Sequence, residues 1–311
     1  MDIQSDSALE KAYKLIESCS VGEAAELLKD LLPADLDNNK LVSTIQCCSY
    51  WQKRLNSIAG NEAYFEQGEE LVNSWKDFLS SMGRSENEKA LYSFRKGIFS
   101  LALDKYGKAD DEKDDSMRAE ICRKKGLCYK KLGSYEAALK CLTEANAAME
   151  GQSPIIAEMA DCWALCGEER NAKLLFREAF FIDAQKIDLS FLDSQMINLL
   201  IKEVESKGFS GAALQEWIPV YGVIMGIFKY KRQLRSNEVL RLKQGIYALE
   251  SELKNPSNDA SVLTPRLLNR YFWLIDYYDN AKESFDKITE VLLKIQILDA
   301  GIYKNYREAC L

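Results

Sequence analysis

The chain has 311 residues, enough to bury a substantial core as one elongated domain or two compact ones. With 47% apolar and 29% charged residues it reads as an ordinary folded chain, and a formal net charge of −7 argues against a general nucleic-acid coat protein. The absence of histidine excludes any Ser–His or Cys–His catalytic pair and removes the commonest metal ligand.

Only 5 prolines and 16 glycines interrupt the chain, which suits long helices joined by short turns. The first residues, Met1-Asp2-Ile3-Gln4-Ser5-Asp6, are acidic and lack an apolar stretch, so no secretory signal is expected there. Residues 8–18 carry Leu9, Ala12, Tyr13 and Ile16 on one helical face, and residues 22–32 carry Ala24, Leu27, Leu28 and Leu31 on the next. Residues 41–58 and 64–79 form a second predicted helical pair, with Trp51, Tyr64, Phe65, Trp75 and Phe78 as bulk.

A repeat occupies the middle of the chain. Tyr129, Gly133, Ala138, Leu142 and Ala145 recur as Trp163, Gly167, Ala172, Phe176 and Ala179, each 34 residues on. The logic is that of paired antiparallel helices. Glycine ends the first helix and permits a tight turn, alanine is small where two helices approach, and the aromatic fills the gap opposite. Gly97, Phe99, Ala102, Tyr106 and Ala109 read as a third, upstream copy offset by 36, with the acidic run 110–115 as a solvated loop that absorbs the difference. Ser153-Pro154 and Thr264-Pro265 both read as a helix cap followed by proline in the first turn.

Beyond the repeat, helices are predicted over 190–206, 211–228, 237–254, 264–278 and 282–303, with a turn-rich break at 255–259. Phe285, Ile288, Val291, Leu292, Ile295 and Leu298 would cover the last face of the stack. The apolar run 217–228 is shorter than the roughly 20 residues a membrane helix needs. With the basic turn 229–235 after it, that run reads either as a buried helix or as a membrane-surface or partner segment, the former being favoured. Residues 271–278 read as a buried helix, with Trp273 or Tyr277 as alternative partner anchors. Asp276 and Asp279 read as ordinary solvated acids. The nine cysteines form no Cys-x-x-Cys pair and read as reduced core thiols of a cytoplasmic protein.

The stretch from Gly126 through Leu127, Tyr129, Gly133, Tyr135 and Ala138 to Ala145 resembles the tetratricopeptide repeat (TPR) family almost throughout. The copy at 153–186 departs at Glu169, where the family usually carries an aromatic, which predicts a looser turn. The expected fold is therefore all-α, a TPR-like α-solenoid of stacked hairpins in a right-handed superhelix. Its parts would be degenerate hairpins at 1–82, repeats at 83–118, 119–152 and 153–186, and a non-repeat helical cap at 187–311.

The resemblance implies a concave groove lined by the first helix of each pair. Its groove-facing positions would be Arg84, Asn87, Leu91, Phe94 and Arg95, then Glu120, Arg123, Leu127, Lys130 and Lys131, then Pro154, Ala157, Asp161, Ala164 and Leu165. The basic members would suit a carboxylate or an acidic peptide, although the same residues also read as solvated helix faces. The family's carboxylate clamp is put in doubt by Leu127 and Asp161, which stand where an Asn is needed. No phosphate loop, dinucleotide fingerprint or metal-ligand cluster is present, so no cofactor is expected.

The expected function is a non-enzymatic scaffold or adaptor that binds a protein or peptide partner, with no nucleic acid and no membrane insertion, and with homodimerisation left open. The alternative is a sensor whose hold on a partner responds to a peptide or metabolite. An enzyme working through carboxylate, Tyr or Lys chemistry is the third and weakest reading.

Overall fold

Helices begin where short polar side chains can take over the unpaired backbone N–H groups of a first turn. The Asn38, Asn87 and Asp114 side chains accept from the N–H groups of Leu41, Ala90 and Met117, and Asp259 accepts from Ser261. The computed structural model describes residues 3–35, 37–82, 87–109 and 114–310. Among these residues every regular element is helical and no strand occurs, in keeping with the all-α expectation.

The chain divides into two compact units, Met1–Met149 and Glu150–Leu311, so the boundary falls within the block 83–186. Unit 1 holds α1 (Ile3–Glu17), α2 (Val21–Lys29), α3 (Asn39–Ile58), α4 (Tyr64–Met82), α5 (Glu88–Lys108), α6 (Asp115–Lys131) and α7 (Tyr135–Ala148). Unit 2 holds α8 (Ser153–Leu165), α9 (Glu169–Asp183), α10 (Gln195–Ser206), α11 (Gly211–Ile224), α12 (Ser236–Glu252), α13 (Ala260–Asn280), α14 (Phe285–Leu298) and α15 (Ala300–Cys310).

In unit 1 each helix packs on the next, and α1 also packs on α5. The core between α3, α4 and α5 is aromatic. Trp51 lies over Trp75, Phe78 over Phe94 and Trp75 over Phe99, with ring centroids 6.2, 5.7 and 5.5 Å apart. Gly97 does not end a helix here, contrary to the upstream-copy reading. It lies inside the continuous α5, where a Cβ would come 2.3 Å from the Ile16 carbonyl oxygen. Glycine is needed there for close approach of α1, not for a turn.

The α6–α7 and α8–α9 hairpins, one in each unit, keep the predicted register. Gly133 (φ +80°) and Gly167 (φ +83°) sit in the left-handed region just past α6 and α8. In the first turn the Gly133 N–H bonds to the Lys130 carbonyl and the Ser134 N–H to that of Tyr129; in the second, Gly167 bonds to Ala164 and Glu168 to Trp163. These are paired helix-ending bonds at a 34-residue offset. Ala138, Leu142 and Ala145, like Ala172, Phe176 and Ala179, are fully buried.

In unit 2, α13 is the central helix, packed against α11, α12 and α14. It begins at Ala260 under the Asp259 cap, so Pro265 lies inside it and Thr264 is not its cap. Ser153 likewise falls inside α8. The predicted terminal helix is broken at Asp299, whose extended backbone separates α14 from α15 and whose carboxylate accepts from the Ile302 N–H. On α14, Ile288, Val291, Leu292 and Ile295 are buried, whereas Phe285 faces outward. Residues 217–223 lie in the buried α11, and Phe228 folds back over Gly222 to cap its end. No described helix is long and apolar enough to cross a membrane.

Candidate functional site

Six of the residues expected to line a groove serve packing instead. Arg84 lies outside the described residues. Asn87 is 4% exposed and joins three helices: beyond capping α5 it exchanges hydrogen bonds with the Tyr13 hydroxyl of α1, and it donates to Thr44 Oγ1 of α3 at 3.0 Å. Phe94 and Leu127 belong to the apolar core. Lys130 and Lys131 are also buried, so neither ammonium is displayed to a partner. Asp161 is fully buried and accepts from the N–H groups of Asp193 and Ser194 at 2.8 Å each, which fixes the entry to α10. These six residues are therefore structural.

Leu91, Arg95 and Arg123 are half-buried and keep accessible surface. Arg123 grips Glu120 through Nε at 2.8 Å, and Lys124 bonds to Glu69 at 2.6 Å. The positive charge expected on α6 is thus largely matched within unit 1. On α5 the Arg95 guanidinium lies 5.4 Å from the ring of Tyr92, which is itself 52% exposed.

Unit 2 contains a polar seam. Arg266, Arg270, Trp273 and Asp276 follow one another at steps of three or four along α13, hence on one face of it, with Asn269 beside Arg270 and four residues before Trp273. At one end Asp276, 5% exposed, is held between Arg177 of α9 and Lys231, the latter at 2.7 Å. This corrects the reading of Asp276 as solvated. In the middle, Trp273 stacks on Phe181 at 4.3 Å, with the Arg177 guanidinium 5.2 Å from its ring. Trp273 is thus buried rather than an exposed anchor, and Lys231 and Arg232 of the basic turn are tied into ion pairs with Asp276, Glu178 and Glu238.

At the other end the seam opens into a cleft of about 390 Å³ between α9, α11 and α13. Its carboxylates are engaged. Glu216, 3% exposed, accepts from Arg266 Nε at 3.1 Å and from Gln185 Nε2 at 3.0 Å. Asp183 accepts from the Gln185 N–H at 3.1 Å and pairs with Lys186. Arg270 differs: among the described residues no carboxylate lies within ion-pair distance of it. Its guanidinium lies 5.5 Å from the Phe181 ring and against Gly245, and burial, with the neighbouring Arg266, holds its pKa below the usual arginine value. Beside it Asn269, 4% exposed, has an Oδ1 that accepts no hydrogen bond.

Sequence reasoning missed the seam because its partners come from helices about a hundred residues apart. The available signal was the 3.6-residue spacing of polar side chains within an otherwise apolar α13. Compared with known protein families, curated proteins and solved structures, the chain gives no match.

Proposed function

We propose that the chain is a non-enzymatic interaction scaffold built on TPR-like helical hairpins. The observation that carries this reading is the shared register of α6–α7 and α8–α9, in which left-handed glycine turns and buried alanines recur 34 residues apart. Such hairpins hold their outer side chains fixed, so binding spends little on ordering them. The accessible face of α5 supports an acidic protein or peptide segment as partner. There Tyr92 and Arg95 stand together beside half-buried Leu91, and aromatic and arginine side chains dominate interface energetics. No described carboxylate pairs with Arg95.

The test is selection from a displayed peptide library, followed by titration of the enriched peptides. Enrichment of acidic segments whose affinity falls about tenfold in Arg95→Glu, at a half-buried position, and in Tyr92→Ala, at an exposed one, is expected. Failure to enrich acidic segments over neutral ones, or equal binding by both variants, removes the reading.

A second reading, a ligand-responsive sensor, is favoured by one observation: the cleft beside α13 holds a cation without an acidic partner and a buried acceptor without a donor.

A further inference from the structure

An amide oxygen is costly to bury without a donor, and a half-buried guanidinium with no carboxylate beside it leaves its charge unbalanced. The cleft beside α13 places both together. Arg266, Glu216, Gln185 and Asp183 satisfy one another, which leaves Arg270 and Asn269 Oδ1 as the unmatched pair, next to the Phe181 ring. The missing partner must supply negative charge to Arg270 and a hydrogen-bond donor to Asn269. The charge required is one. A dianionic phosphate would face a single uncompensated cation among two resident carboxylates, whereas a monocarboxylate balances Arg270 and matches its planar fork. An apolar portion would lie against Phe181, and the cleft volume is that of a small molecule or a chain end.

The geometry points to a binding site for a small monocarboxylate with an adjacent N–H or O–H donor, held by Arg270 and Asn269. This deepens the sensor reading by naming the ligand class, and it is tested separately from it. The ligand is either a free acid or the C-terminal residue of a peptide, since both carry the same group.

The probe is N-acetyl-leucine, titrated by calorimetry and followed through the aromatic resonances of Phe181 in the full chain. A Kd on the order of 1 mM is expected for so small a ligand. N-acetyl-leucine amide, which lacks the charge, binds at least tenfold more weakly. Arg270→Gln loses at least tenfold, and Asn269→Ala about fivefold. If Arg270→Gln does not fold, the acid-against-amide comparison on the native chain decides alone. A tetrapeptide ending in leucine that binds more tightly than N-acetyl-leucine assigns the site to a chain end; equal affinity assigns it to a free acid. No binding of the acid, acid and amide binding alike, or undiminished binding by folded Arg270→Gln overturns the site. If the acid binds but leaves peptide affinity at α5 unchanged, the site stands and the sensor reading falls.

Discussion

Arg177 and Asp276 form a buried ion pair across unit 2, with side chains 3% and 6% exposed and positions 99 apart in sequence. Lys231 reaches the second carboxylate oxygen from the loop after α11. Removing one partner of such a pair strands the other charge in the interior, whereas removing both need not. Asp276→Asn is expected to cost about 3–5 kcal/mol of unfolding free energy, and Arg177→Met with Asp276→Leu distinctly less than the single change. Denaturant unfolding of the two variants checks this. A double variant as unstable as the single one contradicts it.

The two glycines of α5 should respond in opposite directions. At Gly97 a methyl group would meet the Ile16 carbonyl at 2.3 Å, so Gly97→Ala must push α1 away and cost about 1–3 kcal/mol. Gly107 faces open space within the same helix, and Gly107→Ala should stabilise by about 0.5–1 kcal/mol. Thermal unfolding distinguishes the two, and a neutral Gly97→Ala argues against the close packing of α1 on α5.

Glu238 supplies a signed pH dependence. Its carboxylate receives the Arg232 fork at 2.9 and 3.0 Å and the Arg235 N–H at 2.7 Å, and the Arg232 bonds lead in holding its pKa below the ordinary glutamate value. A carboxylate depressed in the folded state contributes stability above its unfolded pKa and loses it as pH falls through the folded one. Glu238→Gln should therefore lower stability at neutral pH by about 1 kcal/mol, as for a lost helix cap, and flatten the decline below pH ~4.5. Urea unfolding across pH 3–7 reads both effects.

Thiol reactivity should sort by burial. Burial, aided by Cys47, pushes Cys48 up to about 12, while Cys166 is exposed. Alkylation of the native chain at pH 8, resolved by mass spectrometry, should modify Cys166 first, with Cys48 reacting only on unfolding. Early labelling of Cys48 would mean that α3 opens readily.

Much of the helical layout was legible because its signals are local. Asparagine or aspartate precedes several helices, and the 34-residue register places Gly133 and Gly167 at turns. Gly97 was misread because a glycine can mark a positive φ or a close approach, and its sequence neighbours do not say which. Asn87 carried a usable signal: an Asn before a helical stretch is a cap before it is a ligand-facing residue. Lys130 and Lys131 read as surface charges, since burial of a lysine depends on what packs over it and not on the lysine. The cleft at Arg270 depends on the packing of α9, α11 and α13, which no local pattern encodes.

The docking of α1 on α5 also determines which pieces of this chain could exist alone. In a row of independent repeats, an end can be shortened by whole hairpins and the remainder persists. Here α1 gives the Tyr13 hydroxyl to Asn87, the cap of α5, and Glu10 and Glu17 pair with Lys89 and Lys96 on α5. A truncated chain starting at α3 would leave Gly97 of α5 uncovered and would remove the Tyr13 hydroxyl from Asn87. The N-terminal helix is a keystone of unit 1, not a detachable end piece.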